Sequence, residues 1–139
     1  MKERVFLFAV VALAVVIIMI APADAAAQAQ KAAPKPVRTV LQKLDDNAMG
    51  REISLVMVEF APGAAEVPHT HPGPYVARVM EGAFEFDVAG KPTTTYRTGD
   101  TFAVDAGQAH HGKNVAEGKT LLLITFVLPK GVPPSTPVK

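Results

Sequence analysis

The stretch His69-Thr70-His71-Pro72-Gly73-Pro74-Tyr75 holds half of the histidines in the chain, and the other two are adjacent, at His110 and His111. Residues two apart on a strand point to the same face. His69 and His71 can therefore offer two imidazole nitrogens to one point. A third imidazole from another strand would complete a three-nitrogen face. Such a face leaves coordination positions open, the condition for a catalytic metal site rather than a structural one. The competing reading is a histidine pair on an exposed strand that binds nothing. Against it, all four histidines lie in two turn-rich stretches.

The elements that must position these residues read as strands. "REISLVMVEF" (51–60) is rich in β-branched and apolar residues and stops at Pro62-Gly63. "YVARVME" (75–81) stops at Gly82, with Ala77, Val79 and Glu81 on the face of Tyr75 and Arg78 and Met80 opposite. "AFEFDVAGK" (83–91) alternates, Phe84, Phe86 and Val88 against Glu85 and Asp87, and closes on a turn. "TGDTFAV" (98–104) is a turn and a short strand, and "KTLLLITFVLP" (119–129) is a longer apolar strand ended by Pro129. A buried helix is the rival for this last run, but its β-branched residues favour a strand. Short strands at intervals of roughly ten residues imply an antiparallel sandwich or barrel. Twelve prolines and ten glycines argue against a helical bundle.

The chain of 139 residues fits one domain. It opens with Lys2 and Arg4, an apolar run from Val5 to Ala23 and the small-residue stretch "ADAAAQ". That order describes a secretory signal peptide over residues 1–25. An uncleaved membrane anchor is the alternative, because the run approaches the ~20 residues that span a bilayer. Residues 26–36 read as a flexible leader, 37–131 as the barrel and 132–139 as an extended proline-rich tail. The protein is thus expected to be exported, to a bacterial periplasm or outside the cell, with no membrane contact after cleavage. Cysteine is absent, which excludes disulfides, thiolate metal sites and cysteine nucleophiles. A formal net charge of +1 without a run of one sign argues against nucleic-acid binding.

The residues flanking the histidines carry a family resemblance. Gly63, His69, His71, Tyr75 and Gly82 stand at the spacing of the first motif of the cupin superfamily. Gly99, Asp105, Gly107, His110 and Asn114 stand at that of the second. The chain resembles a small single-domain cupin. The resemblance implies an all-β fold, a small antiparallel β-barrel or jelly roll of two facing sheets, with a metal at one mouth. It implies His69, His71 and His110 as ligands and gives His111 none. If His110 points inward, His111 on the same extended segment points outward. A homodimer is expected on the same analogy.

Two positions depart from the motifs. Tyr75 stands where a glutamate ligand is usual. Three neutral imidazoles leave a divalent ion its full charge, which favours an anionic exogenous ligand. They also move preference from manganese toward iron first, with zinc, nickel or copper as alternatives. Three roles compete for Tyr75: donating a hydrogen bond to a bound ligand or substrate, filling the barrel mouth, or ligating as phenolate. The first makes Tyr75 the side chain that shares the chemistry with the metal. Asp105 stands where proline is usual and is expected to start a turn. Glu66 is expected to be a solvated loop charge, with a stand-in carboxylate ligand as the lesser reading. Arg78 is expected to pair structurally, with a dimer contact or an anion site as alternatives. Asn114 is expected to fix a turn rather than to contact substrate.

Two function classes follow. One is an exported metalloenzyme, dioxygenase-like, acting on a small anionic or enolisable substrate. The other is a non-enzymatic periplasmic module that holds a small ligand or metal. A barrel that has lost its metal is a weaker third.

Overall fold

A computed structural model describes residues 33–138. The expected signal peptide and most of the leader lie outside the described residues. Among the described residues there are ten strands and no helix: β1 (Val37–Asp46), β2 (Arg51–Phe60), β3 (His69–Thr70), β4 (Tyr75–Glu81), β5 (Ala83–Val88), β6 (Thr94–Arg97), β7 (Thr101–Val104), β8 (His110–Asn114), β9 (Thr120–Pro129) and β10 (Thr136–Pro137). They form two five-stranded sheets, in the orders β1-β2-β9-β4-β7 and β10-β3-β8-β5-β6, with every pairing antiparallel.

Alternation along each strand builds the core between the sheets. On β9, Leu122, Ile124, Phe126 and Leu128 are buried and the residues between them are half-buried. The run read as strand or helix is a strand because it is the centre of its sheet, hydrogen-bonded to β2 and β4. On β4, Tyr75, Ala77 and Val79 face inward while Val76, Arg78 and Met80 are exposed. A bulge between Val79 and Glu81 ends the alternation, and Glu81 sits exposed with its carboxylate 3.7 Å from Lys119 Nζ. Phe84 of β5 stacks on Phe102 of β7 at a centroid distance of 5.9 Å, and Phe86 packs on it tilted at 4.8 Å. These rings form an aromatic floor beneath one end of the barrel.

Two glycines permit close approaches that position this end. A Cβ on Gly73 would lie 2.0 Å from the Val127 carbonyl oxygen, so the loop between His71 and Tyr75 can cross β9 only with glycine there. A Cβ on Gly112 would lie 2.0 Å from the Phe84 ring. Asn114 is a buried hub: its amide donates to the carbonyls of Phe60, Ala61 and Gly118, and its oxygen accepts from Ala116 N and Thr120 Oγ1. It fixes the turn after β8, as expected.

The structure adds to the strands read off the sequence. β1 and β6 are edge strands at segments without a clear apolar alternation. The tail is not simply laid over the surface: Thr136 and Pro137 pair with Thr70 and His69, making β10. Residues 33–36 have no regular structure, yet the Pro34 carbonyl accepts from Ala65 N at 3.2 Å.

Candidate metal centre

His69 on β3 and His110 on β8 are direct cross-strand partners. Side chains of such a pair stand side by side on one face, and their ring centroids are 4.6 Å apart. His71 lies one alternation beyond His69 on the same face, 4.8 Å from it centroid to centroid. All three are buried. His111 has the opposite parity: it points outward and lies 3.4 Å from Asp87. The strand register therefore chooses His110 over His111.

A hydrogen bond orients each ring. Nδ1 of His69 contacts the Val67 carbonyl at 2.8 Å, and Nδ1 of His110 contacts the Gln108 carbonyl at 2.7 Å. In both, the imidazole folds back on the carbonyl two residues earlier. Nδ1 of His71 contacts the Pro134 carbonyl of the tail at 2.6 Å. A carbonyl oxygen only accepts, so each Nδ1 carries the proton and each Nε2 presents a lone pair. Nε2 of His110 is buried with no partner. Nε2 of His69 and His71 face each other at 3.1 Å, two acceptors with no proton between them. The nitrogens of the three histidines lie within 4.8 Å of one another. Ligands held about 2.0–2.1 Å from one ion stand about 3 Å apart, so the His69–His71 separation already suits a shared cation. The donor set fits a divalent transition metal on its own geometry. Burial lowers the pKa of His71, and it takes His110 down to about 4. Both rings are neutral near pH 7, the form that ligates.

Tyr75 reaches the cluster from the opposite sheet, its ring 5.3 Å from His71 and 5.5 Å from His110. Burial raises its pKa far above the ordinary phenol value. The side chain is thus a neutral phenol, a hydrogen-bond donor rather than an anion. Asp105 starts the turn before β8: Gln108 N donates to its carbonyl, and Gly107 takes the positive φ of 73° that such a turn requires.

One expectation is overturned. Glu66 is not a solvated loop charge. Its side chain is 11 % exposed, it lines the same small chamber as the histidines and Tyr75, and its Oε1 pairs with Arg38 Nη2 at 2.5 Å. The loop after Gly63 is pinned by two backbone bonds, Glu66 N to Gly112 O and Asn114 N to Ala64 O, which turn Glu66 inward. Burial raises its pKa and Arg38 works against that rise. Two contributors had no sequence signal. Arg38 enters because β1 pairs it opposite inward-facing Val58. The Pro134 contribution is a main-chain carbonyl, which no residue type announces.

The family model described as a cupin domain matches residues 56–127, more than half of the chain. The chain is a cupin. Germin-like protein subfamily 2 member 2 of Arabidopsis thaliana is 34 % identical to this cupin over 79 residues, 53 % of this chain and 36 % of that one. Oxalate oxidase 1 of Hordeum vulgare is 28 % identical over 88 residues, 58 % of this chain and 43 % of that one. The cupin thus spans less than half the length of these curated relatives. A crystal structure of an uncharacterized conserved protein with a double-stranded β-helix domain, from Klebsiella pneumoniae, superposes with a TM-score of 0.61 at 21 % identity, covering 76 % of this chain and 85 % of that one. That likeness concerns the fold.

Proposed function

We propose that this cupin binds one divalent transition metal, iron foremost, through Nε2 of His69, His71 and His110, and acts as a dioxygenase-like enzyme on a small anionic or enolisable substrate. The observation that carries the reading is the shared tautomer: three Nδ1 protons are spent on backbone carbonyls, leaving three buried lone pairs aimed together. A bound transition metal would supply Lewis acidity and, if iron, redox chemistry with O2. The chain's own part is to hold the rings, to keep water off the aromatic floor and to offer the neutral Tyr75 phenol as a hydrogen-bond donor to a bound ligand. The similarity to an oxalate oxidase supports a small carboxylate as the substrate class. A second reading, a binding module without turnover, has its own support. The chamber bounded by the histidines has a volume of about 10 Å³, enough for an ion or one water.

Metal analysis of untagged protein tests the proposal. About one equivalent of iron, zinc, nickel or copper is expected. Less than about 0.1 equivalent, with no uptake on reconstitution, would overturn it. With iron bound, O2 consumption in the presence of small carboxylates and diketones separates enzyme from binding module.

The proposal extends to export, supported by the charged start, apolar run and alanine-rich site within residues 1–30. It also extends to pairing of two copies, supported by the apolar outward face that Leu55, Met57, Leu123, Val127 and Val76 give the first sheet. Sequencing the mature N-terminus and light scattering check these two points.

A further inference from the structure

We infer that Arg38 anchors the carboxylate of a small ligand at the histidine centre, and that the Glu66 carboxylate occupies the position such a ligand takes. The inference rests on the metal-site reading and adds to it the group that selects the ligand's charge.

Arg38 stands where three spaces meet. It borders the chamber of about 10 Å³ at the histidines, a cavity of about 230 Å³ beside His69 and a cavity of about 310 Å³ beside His71. The tail residue Ser135 lines both larger cavities. The way from solvent to the histidines therefore runs between β1 and the tail, past the guanidinium. The Arg38 side chain is 47 % exposed while that of Glu66 is 11 % exposed. The cation faces the entrance and the carboxylate lies behind it. Lys43, the next cation on the inward side of β1, is engaged with Glu52 at 2.6 Å.

The chemistry of the pair matches an exchange. A guanidinium presents five N–H donors in a planar fork suited to a carboxylate. Its contact with Glu66 runs through a single Nη2. An incoming carboxylate can take up this fork more fully than Glu66 does. The charges agree. Three neutral imidazoles leave a divalent ion at +2, and the Arg38–Glu66 pair sums to zero, so one added anion is favoured. Size agrees too. The chamber of about 10 Å³ is too small for a substrate while Glu66 lines it, and outward rotation of that side chain would enlarge it. The same step that makes room releases the guanidinium.

The test uses the full chain loaded with Co(II), whose visible absorption reports metal binding independently of turnover. Glycolate is titrated calorimetrically, with glycolamide as its neutral counterpart. Wild-type protein is expected to bind glycolate in preference to glycolamide. Arg38→Gln is expected to keep the cobalt spectrum and to weaken glycolate at least about tenfold, the loss of one charge-assisted contact. Glu66→Gln is expected to keep the spectrum and to tighten glycolate severalfold, because the competing carboxylate is gone. Thermal melts of both variants confirm folding. If wild type takes up cobalt but does not prefer glycolate, or if Arg38→Gln binds it as wild type does, the anchor role is wrong. If Glu66→Gln weakens glycolate as Arg38→Gln does, the two residues act as a structural pair and the exchange is wrong. Failure of wild type to take up cobalt would instead remove the metal-site reading, and this inference with it.

Discussion

Each histidine of the centre is defined by two nitrogens with different tasks. Nδ1 is held by a carbonyl, and that contact decides what Nε2 can do. Tyr75 completes the group from the opposite sheet, at the position where its relatives' first motif normally carries a glutamate. Burial drives the ionisation of this phenol far above the ordinary range, so in the metal-free protein Tyr75 is a neutral donor and not an anion in place of that carboxylate. Tyr75→Phe should therefore leave metal affinity within about twofold of wild type, while ligand binding at the metal-loaded centre weakens by the roughly 0.5–1.5 kcal/mol of a neutral hydrogen bond. Competition titration with a chromogenic chelator checks the first part. A tenfold loss of metal affinity would make Tyr75 a ligand. The sequence pointed to His69 and His71 through their strand spacing, and to His110 and Tyr75 through their places in the cupin motifs they resemble. It did not point to Arg38, since an arginine in a polar stretch carries no mark of the strand register that turns it inward.

At the scale of elements, what was legible follows burial. β2, β4, β5 and β9 each bury one face, so each alternates, and alternation is readable. β1 buries almost nothing: Val37, Val40, Leu41 and Leu44 are all at least half exposed. Their spacing even suits a helix, and a bulge at Leu41 breaks the strand period. Pairing with β2, not its own pattern, makes this segment a strand. The tail is a similar case. Nothing in "GVPPSTPVK" announces β10, yet it closes the edge beside β3 and lends the Pro134 carbonyl to His71. Deleting residues 133–139 should cost metal affinity about 10–100-fold, the usual consequence of removing the partner that orients a ligating histidine. The barrel itself should survive, with the melting temperature lowered by a few degrees (about 1 kcal/mol of local contacts). Chelator titration and a thermal melt of the truncated chain measure both. An unchanged affinity would show that His71 needs no support from the tail.

At the scale of the molecule, the core that stabilises the barrel also desolvates the centre. The coupling has a readable sign. Above the ordinary imidazole value of 6.5, His110 is neutral in the folded and unfolded chain alike. As pH falls from there toward about 4, the unfolded chain accepts a proton that the folded one refuses, so stability declines. Below that window this group costs nothing further. His71, lowered by the same burial, acts in the same direction. The melting temperature of metal-free protein should therefore fall between about pH 6.5 and about pH 4, and His110→Gln should flatten the decline relative to wild type. Parallel melting profiles for the two proteins would contradict the burial of His110.

The sequence by itself determined the class of fold and the His69–His71 pair, whereas His110 came from the resemblance to the cupin motifs and is turned inward by strand register. The first two depend on local rules: alternation of apolar residues, turn-forming glycines, and histidines at strand spacing. Only the tertiary structure decided which groups surround the histidines. The inward turn of Arg38 depends on cross-strand register, the burial of Glu66 on main-chain bonds from β8, and the hold on His71 on a carbonyl 63 residues away. Such contacts join segments distant in the chain through backbone atoms common to every residue, so the order of side chains does not record them.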